Sequence, residues 1–488
     1  RDTDRSRGLG DVYKRQIQER GKISSIVHYH NSYFVGFLMD GILLLEKQKE
    51  TNHYQIQSLP INSGVFCLKK DRFQDVVWIG TDGQGVYLYS NPLYSIKSMV
   101  LSNYTEKIER PVRAIYLDDE RTFWVGTKGN GILKIYDYEF DKNISDCRAE
   151  VLTTSNSALS SNAVYCFAKS HRNLLWIGDE EGLTYYSYRE KRIKSIPIRI
   201  GNEDFKYIHD IYETADSELW LASVGMGVVK ARIAGTPDNP VIVDAQRYII
   251  NDGELGSNYF FTIYAENEAN LLFGNKGYGV FRYNETTNGL EPVSTHKYEN
   301  MTLNNILAIS KDSSNNYLFG TSYGLIKYTS ETSYQLFNAK NGFLNNTIHA
   351  ILRNSSDDFW LSTNLGLINF DTKRNVFRSY GFGDGLKVVE FSDGAAFRDS
   401  QTGTLFFGGI NGVVAIRADG RPEQLYMPPV YFDKLSIFGE QYNLGEFLTR
   451  KKETEVLNLQ YDQNFFSVSF ASVDYLNGNN CTLSLIHI

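Results

Sequence analysis

The chain has 488 residues, 42% hydrophobic and 14% aromatic, with 40 Gly but only 10 Pro. That is the composition of a well-packed chain of more than one domain, and it excludes a disordered or collagenous polymer. A formal net charge of −7 with 22% charged residues leaves no basic footprint for nucleic acid or an anionic membrane surface. Apolar runs such as 33–45 are interrupted by Gly36, Asp40 and Gly41, so none reads as a membrane span.

The two ends read differently from the rest. Residues 6–16 (SRGLGDVYKRQ) and 483–488 (LSLIHI) match the in-frame translation of sequencing adapter. Segments 1–16 and 483–488 are therefore set aside from fold reasoning, and the gene is expected to continue past both.

Between them one pattern recurs. It opens as FVGFLMDGILLL at 34–45 and returns as VWIGTDGQGVYLY at 77–89, FWVGTKGNGILKI at 123–135 and LWIGDEEGLTYY at 175–186. Further copies are LWLASVGMGVVK at 219–230, LFGNKGYGVFRY at 272–283, LFGTSYGLIKY at 318–328, FWLSTNLGLINF at 359–370 and FFGGINGVVAI at 406–416. Marked by Gly36, Gly80, Gly126, Gly178, Ala222, Gly274, Gly320, Ser362 and Gly408, the nine copies are 42 to 52 residues apart. A period of this size with all-β patterning is the signature of propeller blades.

Each copy reads as strand, polar turn, strand, Gly-containing hairpin, strand. All five Trp (Trp78, Trp124, Trp176, Trp220, Trp360) occupy one repeat position. Burying an indole of roughly 200 Å² stabilises by about 5 kcal/mol, so the aromatic is expected to wedge between blades. The third residue of the first strand is small in most copies (Cys67, Ala114, Cys166, Ala308, Ala350), as crowding near an axis requires. Cys67 and Cys166 are read as small buried residues and disulfides as improbable.

The last seven repeats end before Met427-Pro428-Pro429, a boundary signal. The expected architecture is all-β. Residues 17–109 would be the last two or so blades of a truncated propeller, 110–424 a seven-bladed propeller, and 427–482 a truncated immunoglobulin-like sandwich with alternating strands from Ser467.

The combination resembles the periplasmic region of bacterial hybrid two-component histidine kinases, with their regulator-propeller repeats and Tyr-rich immunoglobulin-like domain. The segments that carry it are the LWIGT-type repeat core, PVRAIYLD at 111–118, NGFLNNTIHAIL at 341–352, DGLKVVEFSDGAAF at 384–397 and DQNFFSVSFASVDY at 462–475. The resemblance implies a ligand-sensing ectodomain fragment that recognises glycan-derived oligosaccharide and signals across the inner membrane to control transcription. It also implies a homodimer in the intact receptor, a membrane contact only through segments outside this chain, and no kinase chemistry or cofactor in the fragment itself.

Several sequence signatures of catalysis are absent: no HExxH, paired CxxC or P-loop is found. The rival function is a secreted propeller-type glycosidase or lyase, which would need convergent carboxylates or a His/Tyr/Arg cluster; the inner-strand Asp210 stands alone. Arg113, His209 and His349 share the second position of the first strand. They either meet a polar ligand at the mouth of a central channel or, the preferred reading, are packed blade residues like Tyr165, Phe261 and Leu307. Rim loops offer Lys128, Asn130, Tyr207, Lys276, Tyr278 and Tyr323 as ligand contacts. His28 and His30 would share one strand face, which without a third ligand makes no metal site.

Overall fold

The computed structural model describes residues 20–475 apart from 48–53, 91–93, 106–107, 251–257, 294–303, 331–332, 385, 419–427 and 452–453. The adapter-like ends and Cys481 lie outside the described residues. The protein is all-β and divides into two compact units, one running Tyr94–Asp419 and the other combining 1–93 with 420–488.

Among the described residues the unit Tyr94–Asp419 contains seven four-stranded antiparallel sheets. Their first strands are Val112–Leu117, Val164–Lys169, Ile208–Glu213, Phe260–Asn267, Ile306–Lys311, Ala350–Arg353 and Phe391–Arg398. Each of these neighbours the next, and the seventh returns to the first, so the order closes into a ring.

The repeat residues explain the closure. Gly126 lies opposite Ala114 across the ladder, and a Cβ on it would stand 2.8 Å from Val164 of the second sheet and 2.9 Å from Ala114. Gly178 meets Ile208, Gly274 meets Ile306 and Gly320 meets Ile348 in the same way, and Gly408 of the seventh sheet meets Val112 of the first. The glycine and its small cross-strand partner therefore make a flat seat for a β-branched residue of the next sheet. The small third residue is a cross-strand requirement more than an axial one.

The aromatic two positions earlier completes the joint. Trp124, Trp176, Trp220 and Trp360 are all 2% exposed or less. Trp124 packs with Leu175, Tyr186 and Ile193 of the next sheet, and its indole N–H donates to Asp118 at 2.9 Å. The wedge reading holds for these four; Trp78 is half-buried, with its ring against Tyr475.

The unit starts earlier than position 110. Strand Tyr94–Val100 supplies the outermost strand of the seventh sheet, pairing with Gly412–Ala418 from Gly412↔Val100 to Ala418↔Tyr94. Residues before the first strand thus close the last sheet.

In the other unit, Ile23–Tyr29, Ser32–Phe37, Ile42–Lys47 and Tyr54–Ser58 form a four-stranded sheet, and Val65–Lys70, Val76–Thr81 and Val86–Ser90 a three-stranded one. Val430–Ile437 pairs with Glu440–Tyr442 and with Phe466–Ser472, and Leu448–Lys451 with Thr454–Leu457. Two expectations fail here. Cys67 is exposed, as are Phe66 and Val86 of its sheet. His30 has left the strand at a φ of 50°, so it does not share a strand face with His28 and instead meets Asp75 at 2.5 Å.

Candidate functional site

The ring position shared by Arg113, Tyr165, His209, Phe261 and Leu307 is where polar groups converge. His349 sits just before strand Ala350–Arg353. Its Nδ1 is 2.5 Å from Asp393 Oδ1 and its Nε2 is 2.6 Å from Asn364 Oδ1. Arg113 reaches the other oxygen of Asp393 at 3.5 Å, and its buried Nε has no hydrogen-bond partner among the described residues. The sixth, seventh and first sheets are thereby joined through one carboxylate. On the other side Tyr165 stacks on His209 with ring centres 4.3 Å apart, and Phe261 meets the His209 edge at 5.6 Å.

Asp393 occupies this place because strand Phe391–Arg398 bulges: its register jumps between Phe391 and Ala396. The bulged strand approaches the second, fourth and fifth inner strands as well as its ring neighbours. Such bulges re-aim side chains. Burial opposes ionisation of Asp393, but the His349 hydrogen bond and the charges of His349 and Arg113 outweigh it and hold the carboxyl below its usual range. Burial, with Arg113 and Lys128 nearby, pushes the His209 imidazole down to about 3. At neutral pH the site thus holds a neutral imidazole among rings beside a carboxylate shared by Arg113 and His349.

The rim residues divide. Hairpins after the second strands are closed by the repeat's threonine: Thr127 Oγ1 donates to the Gly131 carbonyl and accepts from Asn130 N, both at 2.9 Å. Thr321 and Thr363 act likewise. Asp179 replaces it in the second sheet, accepting from Glu181 and Gly182 N–H at 2.9 and 3.0 Å, and burial pushes its carboxyl up to about 6. The Asn130 carbonyl is occupied by the N–H groups of Glu109 and Arg110, so Asn130 fixes the inter-sheet connection. Tyr278 and Tyr323 are half-buried against neighbouring cores.

Lys128 and Lys276 are exposed, Lys276 lying 6.0 Å from the Tyr259 ring. Tyr207 is 42% exposed in a left-handed conformation, φ 55°. Its N–H donates to Glu180 and its carbonyl accepts from Val224, each at 3.1 Å. Strained non-glycine positions of this kind cluster where ligands bind.

The structure brings Arg113 and His349 together through Asp393, places His209 beside them and leaves Lys276 and Tyr278 on one hairpin and Tyr323 on another. The sequence reading missed Asp393 and Asn364. Asn364 follows the threonine of its copy, as Lys128 does, and that equivalence was the available signal. Among the described residues no group of three or more His, Cys, Asp or Glu could hold a metal ion.

No family model matches the chain. By sequence it is similar to histidine kinase P4 of Formosa agariphila, 24% identical over 389 residues that cover 76% of this chain and 27% of the kinase. By structure it is similar to the extracellular domain of a hybrid two component system from B. thetaiotaomicron, with a TM-score of 0.59 and 24% identity over 93% of this chain and 59% of that one. A virginiamycin B lyase from Staphylococcus aureus aligns at a TM-score of 0.51 and 15% identity, over 66% of this chain and 99% of the lyase. The chain thus spans about a quarter of the kinase and about three fifths of the ectodomain.

The fold is that of the extracellular domains of hybrid two component systems, all-β with propeller-like relatives. The resemblance drawn from the repeats is borne out in these matches. Among the described residues no helix is long and apolar enough to cross a membrane.

Proposed function

We propose that the chain is part of the ligand-sensing periplasmic ectodomain of a hybrid two-component sensor. In this reading the seven sheets of Tyr94–Asp419 are the blades of one propeller. The sheets of 20–90 are the last blades of an earlier one, and the strands after Pro429 begin an immunoglobulin-like sandwich. The ligand is an oligosaccharide derived from glycan, and its binding changes how two ectodomains pair, which sets transcription through domains outside this chain.

The observation that carries the reading is the convergence of Arg113, His349 and Asp393 from three sheets on one level of the ring, beside His209 and Tyr165. A carboxylate, a guanidinium and half-buried rings are the groups that hold sugar hydroxyls and pyranose faces. Calorimetric screening of the chain against oligosaccharides tests it. A ligand whose affinity falls at least about tenfold, some 1.4 kcal/mol, in R113A supports the site. Ligands that bind R113A and wild type alike sink it.

A His–carboxylate pair is also the arrangement of a general base, and the lyase shares the fold. The enzyme reading predicts a product in the same incubations, with turnover abolished in H349A. The sensor reading predicts recovery of the oligosaccharide unchanged.

A further inference from the structure

Strand three of the repeat places a lysine opposite the wedge position in three sheets: Lys134 opposite Trp124, Lys230 opposite Trp220 and Lys327 opposite Leu318. Two of them are well supplied with oxygen. Lys230 Nζ stands 3.0 Å from the Glu218 carboxylate. Lys327 Nζ donates to the Thr372 carbonyl at 2.6 Å and to Asn375 at 3.3 Å, with Asp312 at 3.7 Å.

Lys134 differs. Its side chain is 5% exposed, yet among the described residues its nearest oxygen partners are the Tyr186 hydroxyl at 3.5 Å and Glu150 at 4.0 Å. Glu150 is itself engaged at 2.7 Å by the Tyr136 hydroxyl. The ammonium is held instead by the faces of Trp124, Tyr136 and Tyr186, at 4.5, 4.9 and 4.6 Å. Rings offset part of the lost hydration, but three N–H donors in a dry place call for an oxygen acceptor. Loss of hydration draws the Lys134 pKa below the usual lysine value, against the pull of Glu150 and Asp118.

Lys134 also lines a cleft of about 880 Å³ between the first and second sheets, walled by Tyr136, Tyr185 and Tyr188 and edged by Arg148 and Arg192. The Arg148 guanidinium lies 4.1 Å over the Tyr136 ring. The charged lining is Lys134, Arg148, Lys191, Arg192 and Lys194 against Asp118, Glu120 and Glu150, a net cationic cleft with aromatic walls in a chain of net charge −7.

We propose that this cleft is a second saccharide subsite, separate from the ring-level cluster, that takes a sugar acid: its carboxylate is received by Lys134 and Arg148, and its ring lies against Tyr136 and Tyr188. The inference rests on the reading of the chain as an oligosaccharide binder and adds the acidic class of one residue of the ligand. No covalent step is involved.

The test is calorimetric titration of the full chain with tetragalacturonate and with neutral cellotetraose. Wild type binds tetragalacturonate at least about tenfold more tightly than cellotetraose, and K134M loses that margin, while K230M stays within about twofold of wild type. R148A, a change at the exposed edge, lowers affinity in the same direction and guards against K134M failing to fold. Tetragalacturonate affinity unchanged in K134M and R148A but lowered in D393N overturns the cleft and leaves the ring-level site standing. Equal affinity for both tetrasaccharides overturns the acidic preference, and binding of neither overturns the saccharide reading as well.

Discussion

Asp393 is the residue on which the ring-level site turns, since Arg113 and His349 both reach it. Replacing it with Asn leaves two donors short of a charge. D393N is expected to cost about 1–3 kcal/mol of stability, measured as a shift of the urea midpoint, and to weaken ligand binding more than it weakens the fold. His209 carries a pH signature of known sign. Its folded pKa is about 3 against roughly 6.5 unfolded, so the unfolded chain takes up a proton first as pH falls. The stability His209 contributes is complete above about 6.5 and is lost progressively toward 3. Urea unfolding at pH 7 and 4.5 should show a smaller loss in H209L than in wild type; equal losses would contradict the buried neutral imidazole.

At the scale of the strand, the repeat glycine is a seat for the neighbouring sheet. G126A would press a methyl to 2.8 Å from Val164 and 2.9 Å from Ala114. Overpacking of this kind costs about 1–3 kcal/mol, read as a lower Tm. A222G, at the copy that already carries the methyl, gains no comparable stability. Strand Tyr94–Val100 is the second structural test. Leu101 N–H donates to the Asn411 carbonyl, so the alternate residues Met99, Lys97 and Ser95 are the ones that bond across the ladder. Proline at Lys97, which pairs with Ala415, removes a ladder donor and clashes within the sheet. K97P should open the seventh sheet to hydrogen exchange while the third and fourth stay protected.

These elements also show what the sequence made legible. Hairpins and wedges followed from a fixed period, because most copies repeat the same large apolar wedge, small marker residue and polar hairpin contacts. The start at Tyr94 did not follow, since a closing strand has no partner within its own copy and nothing local marks where it pairs. Asp393 was hidden for a related reason: the bulge at Phe391–Arg398 shifts the inner position out of the V-x-small frame used to align the other copies. Asn130 was ambiguous because an Asn at a hairpin tip serves equally well as a ligand contact or as a backbone acceptor, and the position of Glu109 and Arg110 gives its carbonyl the second role.

For the whole molecule, the sheets of Tyr94–Asp419 provide a fixed frame on which polar groups from separate sheets meet, and propeller-like extracellular relatives share that frame. A stiff ring is better suited to altering how two copies pair than to bending. Sedimentation with and without ligand should therefore show a change in assembly state for an intact ectodomain. The most direct test of the central claim is calorimetric titration of wild type and D393N with each oligosaccharide that binds. The account predicts that D393N, still folded by circular dichroism, loses at least about tenfold in affinity, some 1.4 kcal/mol. Unchanged affinity for every ligand would contradict a binding site built on Arg113, His349 and Asp393.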